Sequence, residues 1–541
     1  MLFHPSKAGI KKNDLYMVAI VFGLPGSGKS YFASRLANLI NAEYINSDIV
    51  RRTFPDKKTY SLNEKLSVYI EMLKRMKETL KENRKIVLDA TFYKSDIRRR
   101  FINEANQNEK ISFIEVMANE SVISERLNKT RADSEADFDV YIKIKTEWEP
   151  FDQDHLILQS TDNNIKEMLH KAAGYLQAIK SNLMHINKAE NYLQKQIDEF
   201  KTPCLTYCIF DKDNIIYQFV GGLANIHEQT KANNETTFNA FSVTKTFTAL
   251  AIVQLAEQGK LDSEQPVKNY LPDFPYSSDI TIRQLLTHSA GIPNPIPLNW
   301  IHLIDEHSSF DRNHFFNTIF VKHNKTKSKP NEKFAYSNLG YFLLGRVIEN
   351  VAGKVYEQYI NENIIKKLDL QPRDLGFIIN DTFKHANGYV KEVSFANMIL
   401  GLFIDKSKYL AKTEGKWQPF NNYYVNGTSY GGLIGTSNAF VKYIQELLRP
   451  NCKLITNNYK DLLFIENYTR ANKATGMCMS WFSGELIGKK YFSHAGGGGG
   501  YYCEIRMYPD LGIGSVIMFN RTGMKDKRFL NTVDKYFINK N

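Results

Sequence analysis

A serine and a lysine stand three residues apart at the start of a strongly helical stretch, as Ser242 and Lys245 of Ser-Val-Thr-Lys. Residues at positions i and i+3 of a helix share a face. A serine hydroxyl is a weak nucleophile until a base removes its proton, and a desolvated lysine can act as that base. The backbone N–H of a serine at a helix N-terminus is also free to stabilise an oxyanion. Serine and lysine are common residues, so the pair by itself only suggests acyl transfer.

Two further groups of residues follow the pair in chain order. Tyr336 and Asn338 form Tyr-Ser-Asn, and His494 opens His-Ala-Gly just before a predicted strand. Each has an ordinary structural explanation as a packed aromatic, a turn former or a strand end. As an ordered set over roughly residues 190–540, Ser-x-x-Lys, Tyr-x-Asn and basic-x-Gly resemble the class C β-lactamase and D-alanyl-peptidase family.

This resemblance implies a role for each matching residue. Ser242 would be the acylated nucleophile and Lys245 its activating partner. Tyr336 would be the general base, or would relay protons with Lys245. Asn338 would hold a substrate carbonyl or the lysine, and Gly497 would donate the second N–H to the oxyanion. The inactive alternative is a relative that keeps the fold for binding or assembly only.

His494 departs from the β-lactamase pattern, which has lysine at this position to meet the substrate carboxylate. Histidine there is typical of esterase and D-aminopeptidase branches. Imidazole is mostly neutral at pH 7, so strong carboxylate binding is not expected. We therefore expect esters or neutral amides to be better substrates than β-lactams. We also expect any β-lactam turnover to improve as falling pH protonates His494.

A second candidate site lies near the start of the chain, between a hydrophobic strand and an amphipathic helix. The segment fits Gly-x-x-x-x-Gly-Lys-Ser, a phosphate-binding loop. Its glycines let backbone N–H groups point at phosphate oxygens, and the following helix adds its positive dipole end. We expect ATP as cofactor, with Mg²⁺ held through the Ser30 hydroxyl. The predicted nucleotide-binding residues of the loop are Gly23, Gly26, Ser27, Gly28, Lys29 and Ser30.

Carboxylates at the ends of the next strands support phosphoryl transfer. Asp48 follows the second predicted strand, and Asp89 ends the third. Here the domain resembles small P-loop kinases, especially polynucleotide kinase and the zeta-toxin and gluconate-kinase-like ATPases. The resemblance implies that Asp48 is the base and Arg51 a substrate-phosphate contact, while Asp89 suits metal or water contact. Arg131, in a lid-like segment, would stabilise the transferring charge. Asp48 could instead simply cap a helix.

The elements around these residues predict two domains. Alternating strands and helices predict an α/β P-loop NTPase domain with a parallel sheet over 17–183. From residue 186 to 541 a hairpin, a helical middle and terminal strands predict an α+β domain with an antiparallel sheet split by a helical insertion. The resemblance implies that this domain is of the β-lactamase/transpeptidase type. The polar stretch between them is expected to close the first domain with one helix and open the second with another.

Composition leaves both activities possible. The chain has 541 residues, 43% hydrophobic and 24% charged, which favours folded domains over disorder. The net charge of +12 is spread along the sequence. A run containing Lys94 and Arg98 is expected to be a solvated helix face rather than a phosphate-binding patch, and a nucleic-acid end stays open as a substrate. No apolar run approaches a membrane span and no signal peptide is evident, so we expect a cytoplasmic protein without a membrane partner.

The preferred interpretation is a bifunctional enzyme acting on small molecules, with phosphoryl transfer in the first domain and acyl transfer in the second. Two alternatives stay open: a serine hydrolase regulated by ATP without a kinase substrate, and a non-catalytic assembly or binding protein on the same folds.

Overall fold

The structure, a computed structural model, describes residues 17–54, 62–82, 84–105, 110–128, 137–522 and 528–538. The chain divides into two units, Met1–His185 and Ile186–Asn541. We refer to them as unit 1 and unit 2.

Unit 1 alternates strands and helices, as the sequence predicts. In chain order its elements are β1 Met17–Phe22, α1 Lys29–Ile40, β2 Glu43–Asn46, α2 Ser47–Arg51, α3 Leu62–Lys81, β3 Ile86–Asp89, α4 Ser95–Glu104, β4 Lys110–Met117, α5 Glu120–Leu127, α6 Phe138–Thr146, β5 Leu156–Gln159 and the start of α7 Ile165–Asp198.

The five strands of unit 1 form one parallel sheet in the order β2-β3-β1-β4-β5. Apolar clusters cover both of its faces, one containing Ile20 and Leu88 and the other Ala19 and Val87. Parallel strands present their carboxyl ends at one edge, where open α/β sheets bind ligands. The loop after β1 and the last residue of β3, Asp89, therefore meet at that edge.

The strands of unit 2 are β6 Cys204–Asp211, β7 Ile215–Asn225, β8 Thr230–Lys231, β9 Thr237–Asn239, β10 Ile301–Leu303, β11 Leu375–Gly376, β12 Tyr389–Lys391, β13 Trp417–Pro419, β14 Tyr423–Val425, β15 Ile434–Thr436, β16 Phe482–Leu486, β17 Lys489–Gly498, β18 Tyr501–Tyr508 and β19 Ile513–Phe519. Its helices after α7 are α8 Thr244–Glu257, α9 Ile282–Leu286, α10 Arg312–Lys322, α11 Asn338–Ala352, α12 Tyr356–Ile360, α13 Phe395–Leu400, α14 Lys406–Tyr409, α15 Thr428–Gly431, α16 Ser437–Leu448, α17 Asn457–Leu462 and α18 Leu530–Ile538.

Seven strands of unit 2 form the predicted antiparallel sheet, in the order β16-β17-β18-β19-β6-β7-β8. One face carries the large apolar core around α8, in which every residue from Thr244 to Leu255 is buried. The other face packs against Leu193 of α7 and Val533 of α18. Because both faces are covered, both sets of alternating side chains in the central strands are buried.

Two local details differ from the sequence-based expectations. The polar stretch between the domains is one helix, α7, and the division into units falls within it. Arg98 is not on a solvated face, since it is only 3% exposed. Its guanidinium donates hydrogen bonds to the carbonyl oxygens of Phe92 and Pro150, so it fastens α4 to the chain before β5.

No helix among the described residues is both long and apolar enough to cross a bilayer.

Candidate active sites

Ser242 lies in a short 3-10 turn, Phe241–Val243, which leads directly into α8. Strand β17 runs beside this turn. A Cβ atom on Gly496 would lie 2.2 Å from the carbonyl oxygen of Ala240 and 2.5 Å from the backbone nitrogen of Ser242. Only glycine lets β17 approach the nucleophile so closely. Gly497 is the next residue of β17, and its role as second oxyanion donor stays a prediction.

Lys245 is fully buried one turn further along, and its Nζ has three oxygen partners. They are Ser242 Oγ at 3.0 Å, Asn338 Oδ1 at 2.8 Å and the Tyr430 carbonyl oxygen at 2.8 Å. Burial holds the pKa of Lys245 well below its usual value. An amide oxygen and a carbonyl oxygen can only accept hydrogen bonds. A neutral amine therefore donates its two hydrogens to them and turns its lone pair toward the Ser242 hydroxyl.

Tyr336 approaches the same oxygen from the other side, with its hydroxyl 2.9 Å from Ser242 Oγ. Burial raises the pKa of Tyr336, and the hydrogen bond to Ser242 lowers it less. The phenol is therefore neutral in the resting site, where its hydroxyl donates to Ser242 Oγ, and its role as base or proton relay stays a prediction. Asn338 begins α11, whose first turn is capped by Ser337 Oγ. The structure thus brings Ser242, Lys245, Tyr336 and Asn338 together.

His494 is fully buried in β17 beside this group. Its Nδ1 donates a hydrogen bond to the Ser480 carbonyl oxygen, and its Nε2 has no hydrogen-bond partner among the described residues. Burial is the main cause that lowers the pKa of His494 to about 3, and the hydrogen bond to the Ser480 carbonyl oxygen offsets it only in part. The expectation that mildly acidic pH protonates His494 is therefore wrong, because the buried imidazole stays neutral.

His288 is a further member of the site, and no role was predicted for it from the sequence. Its ring centroid is 4.2 Å from that of Tyr336, and its Nδ1 accepts a hydrogen bond of 3.1 Å from the Ser337 N–H. The residue is buried, and burial keeps its pKa well below the usual value. His288 thus supports the Tyr336 ring. The signal in the sequence was the segment Leu285–Pro293, Leu-Leu-Thr-His-Ser-Ala-Gly-Ile-Pro, which agrees with the family resemblance.

In unit 1, the phosphate-binding loop connects β1 to α1. Gly26 and Gly28 have φ angles of 79° and 89°, in the left-handed region that favours glycine. Lys29 is the first residue of α1. Ser27 is 1% exposed, and its hydroxyl has no hydrogen-bond partner among the described residues. A buried hydroxyl without a partner in such a loop fits a phosphate ligand.

Asp89 is fully buried at the carboxyl end of β3. Its Oδ2 accepts hydrogen bonds from the Tyr44 hydroxyl at 2.6 Å and from Asn46 Nδ2 at 2.5 Å, and Oδ1 has no partner among the described residues. The same Asn46 nitrogen is 3.5 Å from Ser30 Oγ. The Ser30 hydroxyl and the Asp89 carboxylate are therefore close neighbours, and these are the oxygen ligands that Mg²⁺ takes in P-loop enzymes. The residues present fit Mg·ATP.

Asp48 lines the same cavity of about 1050 Å³ as Lys29 and Arg51. The cap of α2 is Asn46, whose Oδ1 accepts from the N–H groups of Asp48 and Ile49. The alternative that Asp48 simply caps this helix is therefore wrong, because Asn46 is the capping residue. Arg51 Nε is 3.4 Å from the Glu64 carboxylate.

Arg131 lies outside the described residues. Arg126, which the sequence associated only with the start of the lid-like segment, lies on the phosphate-binding loop. Its guanidinium donates to the Ser27 carbonyl oxygen and the Ser160 hydroxyl, and it forms an ion pair of 3.0 Å with Asp162. A cation held over the loop in this way is a candidate for contact with the nucleotide.

Two family models match different parts of the chain. Residues 189–536 match the family model described as Beta-lactamase, and residues 18–145 match the model described as AAA domain. Protein flp of Staphylococcus aureus (strain MW2) is 32% identical over 173 residues, which are 31% of this chain and 32% of flp. Penicillin-binding protein 4* of Bacillus subtilis (strain 168) is 29% identical over 215 residues, 37% of this chain and 45% of that protein. Less than half of either relative is covered.

Solved structures show the same fold for unit 2. The octameric penicillin-binding protein homologue from Pyrococcus abyssi superimposes with a TM-score of 0.51 at 24% identity, over 62% of this chain and 73% of that one. The D-amino acid amidase from Ochrobactrum anthropi SV3, complexed with L-phenylalanine amide, gives 0.52 at 17% identity, over 65% and 96%. The sequence-based recognition of both parts is confirmed: this chain belongs to the beta-lactamase family and carries a kinase-like P-loop AAA domain at its N-terminal end.

Proposed function

We propose that unit 2 is a serine hydrolase that works through an acyl-enzyme on Ser242. The observation that carries the proposal is the buried Lys245 amine, whose two acceptor-only partners leave its lone pair for the serine hydroxyl. A non-catalytic binding protein would have no need to keep a buried lysine against a serine, since burying an amine is costly.

The proposed reaction has two halves. Ser242 Oγ attacks the substrate carbonyl carbon while its proton passes to Lys245 Nζ, and backbone N–H groups of Ser242 and Gly497 stabilise the oxyanion. Collapse breaks the bond to the leaving group, which takes a proton from the Tyr336 hydroxyl, and the proton held by Lys245 Nζ then replaces it on Tyr336. A water molecule then attacks the ester, gives its proton back to this pair and releases the carboxylic acid and Ser242.

For substrate class, we infer that neutral esters or amides are preferred to β-lactams. A neutral imidazole at position 494 gives a substrate carboxylate no charge-assisted contact, worth about 1.5–3 kcal/mol or one to two orders of magnitude in binding. His494→Lys should raise the ratio of kcat/KM for nitrocefin to that for p-nitrophenyl acetate by about this factor. A wild-type preference for nitrocefin with an unmoved ratio would contradict the inference.

Labelling with a fluorophosphonate, followed by mass-spectrometric mapping, tests the nucleophile directly. We expect the label on Ser242 in the wild type and none in Ser242→Ala. Ser289→Ala is the matched control, because Ser289 is also buried and hydroxyl-bonded but lies outside the proposed chemistry. A label on another residue of the wild type, or no label at all, would contradict the assignment of Ser242 as the nucleophile.

For unit 1, we propose ATP-dependent phosphoryl transfer to a small-molecule hydroxyl, with a nucleic-acid 5′ end as one candidate acceptor. Lys29 and the loop N–H groups would bind the phosphates, and Ser30 and Asp89 would hold the metal. The bound Mg·ATP supplies the phosphoryl group and neutralises the developing charge. Asp48 would take the proton of the acceptor hydroxyl, and Arg51 would contact an anionic group of the acceptor.

Two substitutions separate nucleotide binding from phosphoryl transfer. Lys29→Ala should abolish Mg·ATP binding measured by calorimetry. Asp48→Asn should keep that affinity while transfer to the acceptor falls by about two orders of magnitude or more. The acceptor panel contains 5′-hydroxyl oligonucleotides, nucleosides and sugars. Unchanged ATP affinity in Lys29→Ala, or full activity in Asp48→Asn, would refute the respective role.

A further inference from the structure

Four large apolar side chains in one ten-residue segment of unit 2 face solvent. The exposed fractions are 92% for Val393, 72% for Phe395, 65% for Met398 and 80% for Leu402. The last three follow the spacing of one helical face, and the side chains that α13 buries are Asn397 and Leu400 on its other side. Single exposed apolar residues are ordinary, but a contiguous group marks an interaction surface. We call these four residues the apolar ridge.

A cluster of cations lies beside the apolar ridge. The Arg521 guanidinium donates a hydrogen bond to the Lys201 carbonyl oxygen, and the Lys416 ammonium lies 4.4 Å from the ring centroid of Phe200, the residue before Lys201. Lys201, Lys391, Lys416 and Arg521 form this cluster. The Lys391 ammonium and the Arg521 guanidinium both approach the Trp417 ring, at 5.5 Å and 5.7 Å from its centroid. Strand β12 ends at Lys391, so this cation cluster is joined to Val393 by a single residue.

Lysine also borders the far end of the ridge. A Cβ atom on Gly401, next to Leu402, would lie 3.1 Å from Lys406 Cε. Carboxylates are present as well: Glu392 and Glu414 accept from the neutral hydroxyls of Thr413 and Tyr389 and keep their charge, and Glu199 pairs with Lys201. From residue 391 to 417, however, five lysines stand against three acidic residues: Lys391, Lys406, Lys408, Lys412 and Lys416 against Glu392, Asp405 and Glu414. The surface therefore combines an exposed apolar centre with a positive border.

We propose that the apolar ridge and its cation cluster dock unit 2 on an anionic lipid bilayer. Phe395, Met398 and Leu402 enter the boundary between headgroups and acyl chains, while the cations contact lipid phosphates. This departs from the sequence-based expectation of no membrane partner, which rested on the lack of a spanning segment and of a signal peptide in the sequence. A peripheral contact needs neither.

Charge selects the bilayer over two other occupants. A second copy of the chain docked through the same patch would bring two positive borders together, because a two-fold interface uses the same surface on both subunits. Nucleic acid would satisfy the cations but leave the apolar ridge in water. An anionic bilayer satisfies both parts.

The test is co-sedimentation of the full chain with vesicles of phosphatidylcholine, with and without phosphatidylglycerol. We expect binding to the anionic vesicles that weakens with added salt. Binding should fall at least tenfold in Phe395→Ser/Leu402→Ser and in Lys391→Glu/Lys416→Glu. Val321→Ser is the control, because Val321 is 76% exposed on α10, outside the ridge, and it should bind as the wild type does.

Unfolding midpoints of all variants verify that they are folded. The proposal is overturned if the wild type does not bind anionic vesicles, or if folded ridge variants bind them as well as the wild type does. Two further results would also overturn it: a dimer seen by light scattering, or oligonucleotide binding seen by gel shift. In either case the ridge substitutions would abolish that association while vesicle binding persists.

Discussion

Burial acts on three side chains around Ser242, and in each case it favours the neutral form. It lowers the pKa of Lys245, lowers that of His494 to about 3 and raises that of Tyr336. A neutral amine is a base at a pH where an exposed lysine would be charged. The site therefore obtains its base by excluding water.

The pH profile of ester hydrolysis follows from these charges. Lys245 reacts as the free amine, so kcat/KM for a neutral ester should rise with pH through the lowered pKa of Lys245. It should level off well below the ordinary lysine value of 10.5. His494 adds no limb above about pH 3, so His494→Gln should leave the midpoint in place. An acid limb that shifts with that substitution would assign the titration to His494.

The close approach of β17 to the nucleophile makes Gly496 a sensitive position. The two atoms nearest to a methyl group there are backbone atoms, the Ala240 oxygen and the Ser242 nitrogen, which cannot rotate away. We expect Gly496→Ala to fold but to lose about two orders of magnitude in kcat for p-nitrophenyl acetate, because the oxyanion site is displaced. Gly174→Ala is the control, since its Cβ meets nothing within 4 Å. Equal rates in both variants would contradict the role of this contact.

At the scale of elements, the face of the unit 2 sheet away from Ser242 holds a buried ionic network. Arg506 is fully buried on β18 and pairs with Glu504 at 2.8 Å and Asp534 at 3.8 Å. Asp534, from α18, also accepts from the hydroxyls of Tyr207 and Ser515. The network thus joins α18 to β6, β18 and β19.

Removing the one cation of this network should destabilise unit 2 strongly. Arg506→Met leaves two buried carboxylates without their partner, which costs about 3–5 kcal/mol. Urea unfolding of the full chain measures the loss, with Lys490→Met, an exposed cation on neighbouring β17, as control. A loss below about 1 kcal/mol in Arg506→Met would show that the carboxylates relax or take up protons.

The main elements were predictable because their patterns are local. The hydrophobic strand expected before the phosphate-binding loop is β1, and the hairpin expected in the second domain is formed by β6 and β7. The buried polar residues of the sheet were not predictable. Arg506 and Asp534 lie on different elements, and each can be buried because the other neutralises its charge. The same holds for His288, because its part in the site depends on its contact with Tyr336, which no local pattern shows.

For the whole molecule, the two units have separate apolar cores. A ligand that binds one folded unit stabilises that unit by mass action, by about 2.7 kcal/mol at a hundred times its Kd. We expect Mg·ATP to raise one of two thermal transitions in calorimetry and to leave the other in place. Lys29→Ala should remove the shift. A Mg·ATP-dependent shift of both transitions, together with altered ester hydrolysis, would favour the nucleotide-regulated hydrolase instead.

The pairing of β6 with β19 sets a condition on synthesis in the cell. Cys204 and Asn520, 316 positions apart, are joined by a hydrogen bond at this seam. The β6–β7 hairpin leaves the ribosome early and must wait for β19 on the order of tens of seconds at ordinary translation rates. Throughout that interval the nascent chain presents a bare, apolar strand edge, which is a template for aggregation. Slower translation or scarce chaperones should therefore lower the yield of soluble protein before any catalytic residue is affected.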